Sequence, residues 1–149
     1  MIAVQLQGGL GNQLFEYATA KALAAKIGQR PYLDTSLLET KNAHRPFFIK
    51  AFPLQATYPS NRLQRWYFHR FQKPYLVDID EMEAPSNKEI VDQVYLKGYW
   101  QNPAFFREIK AELLQEIDIP LIATQALGDE DDGLRVGVHV RRGDFIGNP

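Results

Sequence analysis

The sequence predicts an α/β fold organised around a parallel sheet, and three observations carry that expectation. A short apolar run, Ile2-Ala3-Val4-Gln5-Leu6, passes at once into Gly8-Gly9-Leu10-Gly11. An alanine-rich helical stretch follows, with Gly28 placed to stop it. A second short run, Pro31-Tyr32-Leu33-Asp34, then ends in an acid. Strand, glycine turn, helix and strand make a βαβ start, and strands joined by a crossover helix pair in parallel.

Taken in order, residues 2–6 read as a buried strand and residues 12–27 as the helix. Ala18, Ala20, Ala22, Ala24 and Ala25 favour helix, and Leu14, Ala18, Ala22 and Ala25 share one face at helical spacing. Gly28 suits the left-handed position just past a helix, and Pro31 bars its continuation. Residues 37–59 hold Pro46, Pro53 and Pro59 among aromatics and read as irregular. Ser60 is placed to cap a basic, aromatic helix over residues 61–71. Val94-Tyr95-Leu96-Lys97 reads as a strand leading into Gly98-Tyr99-Trp100. Asn102 is then placed to cap a helix whose first position is Pro103, where a missing N–H costs nothing. Phe106, Ile109, Leu113 and Ile117 form its expected buried stripe.

Past Pro120, Gly128-Asp129-Glu130-Asp131-Asp132-Gly133 is the best linker in the chain. Leu134-Arg135-Val136-Gly137-Val138-His139-Val140 is strongly β-prone and runs into Arg141-Arg142-Gly143-Asp144. The expected division is therefore a first α/β domain over residues 1–127, a linker at 128–133, and the opening strand of a second α/β unit at 134–149.

Composition narrows the function. Of 149 residues, 45% are hydrophobic and 23% charged, which excludes a disordered or collagenous chain. No cysteine is present, so disulfide scaffolds, zinc ribbons and thiol catalysis are excluded, and a reducing, cytoplasmic setting is expected. Net charge is −1, against any chain-wide nucleic-acid footprint. Met1 leads straight into the first strand, so no secretory signal is read, and no apolar run approaches the ~18 residues of a membrane span. Charge is unevenly spread: between Thr40 and Val77 there is no acid, but Lys41, Arg45, Lys50, Arg62, Arg65, Arg70 and Lys73 all occur.

Two places could carry chemistry. Glycines between a strand and a helix let backbone N–H groups and the positive helix end approach a ligand, which makes Gly9 and Gly11 binding candidates. Asn12 and Gln13 read as exposed amides beside them; a tight turn without a ligand is the bland alternative. A dinucleotide fingerprint fails because position 14 is Leu, although Asp34 stands roughly where a ribose-binding acid belongs. The second place is His139-Val140-Arg141-Arg142-Gly143-Asp144, whose paired guanidiniums suit bidentate contact with phosphate oxygens. Asp144 could order an arginine or move a proton, and the bland alternative is a solvated strand end.

These segments together resemble a known family. Gly8-Gly9-Leu10-Gly11-Asn12-Gln13-Leu14-Phe15 with Tyr17-Ala18, then Gly98-Tyr99-Trp100-Gln101, then His139-Val140-Arg141-Arg142-Gly143-Asp144 are similar to the bacterial α-1,2-fucosyltransferases of glycosyltransferase family 11. The resemblance implies an inverting transfer of fucose from GDP-fucose to a galactose-type hydroxyl, with no required metal or other cofactor. It implies a GT-B-like fold of two Rossmann-type domains, of which this chain holds the N-terminal, acceptor-side domain and the first strand of a truncated donor-binding domain. It assigns donor binding to His139, Arg141 and Arg142 beside Gly9 and Gly11, and catalysis to Asn12, Arg142 and Asp144. Family members are roughly twice this long, so the expectation is a foldable fragment inactive by itself. Partners would be GDP-fucose and a galactoside glycan.

The competing readings are a non-catalytic nucleotide- or sugar-binding module and, on Gly9-x-Gly11 with Asp34, an NAD-dependent oxidoreductase. Asp78-Ile79-Asp80 has metal-site spacing but sits in an acidic, surface-like stretch. The segment from Arg62 to Phe71 could stack acceptor sugars or lie against anionic lipid at the inner membrane face. The blander expectation buries Trp66, Phe68 or Phe71 under solvated arginines, and packs Tyr99-Trp100-Gln101 at a strand end.

Overall fold

The computed structural model describes residues 1–40, 45–80 and 93–117. It contains a four-stranded, wholly parallel sheet of β1 (Ile2–Gln5), β2 (Tyr32–Asp34), β3 (Val77–Asp80) and β4 (Val94–Lys97), in the order β2-β1-β4-β3. The α/β class and the parallel pairing expected from the sequence are present. The division at residues 127 and 128, the linker and the second-domain strand lie outside the described residues.

Side chains alternate along a strand, so each strand feeds two cores. Ile2, Val4, Leu33, Val94 and Leu96 join the cluster that includes Tyr17 and the alanines of α1 (Leu10–Lys26). Ala3, Tyr95 and Tyr32 face the opposite way and pack on Phe68. The central strands β1 and β4 are covered on both faces, which is why they read as continuous apolar runs. β3 was not foreseen as a strand. It is a half-exposed edge, Val-Asp-Ile-Asp, whose acids disguise it in the sequence and discourage further pairing at that edge.

Helix α1 is buried nearly all round, from Gln13 to Ala24, rather than along one stripe. The sheet covers one side, while the turns at residues 48–51 and 103–105 pack against it elsewhere. Ala25, expected on the buried face, is exposed because it lies beyond that cover. Gly28 has φ +64°, as a helix-ending glycine should. On α3 (Lys110–Glu116), the last helix among the described residues, the buried Glu116 accepts hydrogen bonds from Tyr17 Oη and Lys21 Nζ of α1.

Two helices differ from expectation. The basic aromatic helix is α2 (Arg62–Tyr67), followed by a π turn at Phe68–Gln72 and a 3-10 turn containing Pro74. Its cap is Asn61, whose side chain accepts from Gln64 N at 2.9 Å, while Ser60 donates to the Gln64 side chain. The helix foreseen from Pro103 begins as two 3-10 turns, Pro103–Phe105 and Arg107–Ile109, before α3. Asn102 caps the first of them, accepting from Ala104 N. The break has a packing reason. Phe105 meets Trp100 and the adjacent Phe106 meets Phe15, whereas an unbroken helix would turn neighbouring side chains about 100° apart. Ile109 and Leu113 are buried as foreseen; Phe106 and Ile117 are only partly so.

Candidate active site

The chain leaves β1 through α1 to β2 on one side, then returns to β4 and β3 on the other. The order therefore reverses between β1 and β4, and in open parallel sheets ligands bind beyond the carboxyl ends of the strands at that reversal. The glycine turn follows β1 there, and Gly98-Tyr99-Trp100-Gln101 follows β4. Two segments singled out in the sequence, some ninety residues apart, are thus brought side by side.

They touch directly. Gln101 Nε2 donates to Asn12 Oδ1 at 2.7 Å. With its oxygen held, Asn12 presents its Nδ2 hydrogens as donors. Gly8 has φ +70°, and a Cβ there would stand 2.3 Å from Asn12 Nδ2, so the turn admits no side chain at this position. Gly9 is the N-cap of α1, and a Cβ at Gly9 or at Gly11 would meet nothing within 4 Å. The helix start is open on that side, and its first turn carries no acid that would cancel its positive end.

The β4 turn is strained. Gly98 has φ +105°, and Trp100 has φ +55°, a region costing an L-residue about 1–3 kcal/mol. Trp100 is fixed there by burial at 2% exposure and by an edge contact with Phe105. Packing was expected for this whole segment, and it holds for Trp100. It does not hold for Gln101, which the strained turn delivers to Asn12.

Gln13 corrects the reading of an exposed amide. It is fully buried, donating to the carbonyls of Gly8 and Pro46 and accepting from the N–H groups of Phe48 and Ile49. It clamps the irregular loop onto the glycine turn and has no capacity left for a ligand.

Asp34 is also fully buried. Oδ1 accepts from Ser36 N at 3.0 Å and lies 3.3 Å from His69 Nε2, while Oδ2 accepts from Tyr95 Oη at 2.5 Å. Burial, followed by the Asp34 charge, holds the Tyr95 hydroxyl well above the ordinary tyrosine range, so it stays a donor. A carboxylate committed in this way cannot hold a ribose hydroxyl, which removes the structural ground for the NAD-dependent reading. The His69–Asp34 pair leaves no signal in the sequence, because its members stand 35 residues apart. A π turn, a feature common at functional sites, carries His69.

His139, Arg141, Arg142 and Asp144 lie outside the described residues. Asp78 and Asp80 stand on β3, and Asp78 is paired with Lys97. Among the described residues no cluster of three His, Cys, Asp or Glu side chains could hold a metal, and no helix is long and apolar enough to cross a membrane.

A parallel α/β layer with an amide pair and an open helix start at its reversal point places the chain among parallel α/β domains. The model of glycosyl transferase family 11 matches residues 1–149, and the chain belongs to that family. It is 27% identical to the alpha-1,2-colitosyltransferase of Escherichia coli, over 99% of this chain and 56% of that protein. It is 30% identical to galactoside alpha-(1,2)-fucosyltransferase 2 of Bos taurus and 29% identical to galactoside 2-alpha-L-fucosyltransferase SEC1 of the same species. Each of these two matches covers 98% of this chain, and 42% and 39% of the relative. The chain thus spans about half the length of the curated relatives it matches, or less. No solved structure matches it.

Proposed function

We propose that this chain supplies the acceptor side of an inverting glycosyltransferase that moves fucose from GDP-fucose to a galactose-type hydroxyl in α-1,2 linkage. The observation that carries the reading is the Asn12–Gln101 bond at the reversal point of the sheet, in a chain of family 11. The relatives' names agree on an α-1,2 transfer and differ in the sugar, colitose in one and fucose in the others.

In this reaction the acceptor hydroxyl oxygen forms a bond to the sugar C1 as the C1–phosphate oxygen bond breaks. The hydroxyl proton passes to a base, and GDP leaves with the electron pair. Arg141 and Arg142 are proposed to hold the diphosphate and take up its growing charge, so that no metal or other cofactor is needed. His139, Gly9 and Gly11 complete the donor contacts. Asp144 is the proposed base or the orienter of an arginine, and Asn12, as a donor, positions the reacting oxygen. A cytoplasmic setting goes with a nucleotide-sugar donor.

The experiment is transfer from GDP-fucose to a galactoside by the complete polypeptide, with the linkage and anomeric configuration of the product read by NMR. A colitosyl donor run in parallel settles the sugar. Inverted, α-1,2-linked fucoside is expected; GDP binding without any transfer would support the non-catalytic module instead.

A further inference from the structure

The segment following Asn61 is expected to bury Trp66, Phe68 or Phe71, and of these Phe68 is the one fully buried. Phe68 is 1% exposed and stacks on Tyr32 at 4.1 Å, but Trp66 and Tyr67 are 56% and 52% exposed. These two rings border a groove of about 450 Å³ on the α2 face, completed by Tyr58, Tyr32, Gln64 and Gln72 among others. None of its eight lining residues is charged.

That chemistry selects a ligand. Clustered aromatic surface left in water marks a binding site. Ring faces pack against the C–H faces of pyranoses; the Gln72 amide can serve hydroxyls as donor and acceptor, and Gln64, whose Oε1 accepts from Ser60, can serve as a donor. A phosphate or an anionic headgroup would need a cation in the lining, and none is there. Arg65 is engaged with Glu39 and Arg70 over the ring of Phe71, and Arg62 stands on α2 outside the lining.

The groove's Tyr32 stands on the strand that ends in Asp34. Tyr32 and Asp34 stand two residues apart on β2, about 7 Å, and face the same side. We infer that this groove is a neutral-saccharide subsite, holding sugars of a glycan that extends beyond the reacting galactose. Its role as an acceptor subsite rests on the transferase reading; its ability to bind sugar does not.

The chain has two tryptophans, and Trp100 is buried, so a ligand-dependent change in fluorescence reports on Trp66. The probe is a galactose-terminated tetrasaccharide, with GDP titrated separately into the complete polypeptide. A saturable blue shift is expected. By NMR of the sugar, Trp66→Ala should abolish binding, and Tyr67→Ala or Gln72→Ala should weaken it at least about fivefold with melting unchanged. Absence of any response at about 50 mM sugar, beyond the millimolar range of weak ligands, overturns the inference. So does sugar binding that survives both Trp66→Ala and Tyr67→Ala. A Trp66 shift with phosphatidylglycerol vesicles but not with sugar overturns it in favour of a lipid surface. Sugar binding by this chain, with neither GDP binding nor transfer in the complete polypeptide, leaves the subsite standing and removes the transferase reading; the converse removes the subsite alone.

Discussion

Gln101 Nε2 lies 2.7 Å from Asn12 Oδ1, and this single bond couples the turn after β1 to the turn after β4. Both side chains reach solvent, so the bond adds little to stability, and its consequence is the orientation of the Asn12 amide. Gln101→Ala should therefore lower turnover about tenfold, equivalent to about 1.4 kcal/mol of barrier, with melting temperature nearly unchanged. Steady-state kinetics beside a melting curve checks this; an unaltered kcat would make the bond incidental.

Gly8→Ala should act on the same amide from the other side. The left-handed backbone costs an L-residue about 1–2 kcal/mol, and the new methyl group collides with Asn12. Loss of stability in that range together with loss of turnover is expected. Gly11→Ala, with open space around it, should change folding little. Denaturant unfolding of the two variants separates the backbone effect from the loss of glycine alone.

The Asp34 network can be tested by one atom. Tyr95→Phe removes the hydroxyl donated to Oδ2 and leaves a buried carboxylate short of a partner, at a cost of about 1–3 kcal/mol. Tyr95→Phe combined with Asp34→Asn should cost less than the sum of the single changes, because the orphaned charge is gone. Strict additivity in urea unfolding would mean that the two groups do not interact.

Alkaline pH should weaken the fold in a defined window. Burial first, then the Asp34 charge, pushes Tyr32 from 10.0 up to about 12, with Arg65 opposing. A group whose folded value is raised stabilises the fold fully below its unfolded value. That contribution fades as pH climbs from 10 to about 12. Melting temperatures across this window should fall less steeply in Tyr32→Phe than in the parent chain. Tyr17 and Tyr95, raised in the same direction, keep the remaining slope.

Much of this was legible in the sequence. Ile2 to Gln5 and Val94 to Lys97 announce themselves because strands covered on both faces must be apolar throughout, and Gly28 because few other residues accept φ +64°. β3 was not, since an edge strand needs apolar residues on one face only and carries acids on the other. Gln13 and Asp34 misled for a different reason: a buried polar group satisfied by distant partners looks, in sequence, like an exposed one. Asn12 stands out through its motif, and the structure bonds it to Gln101. Gln101 was quoted in a motif yet read as packing, because the φ of Trp100 that turns it toward Asn12 leaves no trace in residue type. The His69–Asp34 pair was invisible, because only the fold over β2 brings its members together.

The most direct test concerns Asn12 as the positioning donor of the transfer. The complete polypeptide and its Asn12→Ala variant should be compared for fucosyl transfer from GDP-fucose to a galactoside and for GDP affinity. A turnover lowered tenfold or more, with GDP affinity within about twofold of the parent, is the expected result. Full turnover in Asn12→Ala would contradict it and move the reacting centre away from the β1–β4 crevice.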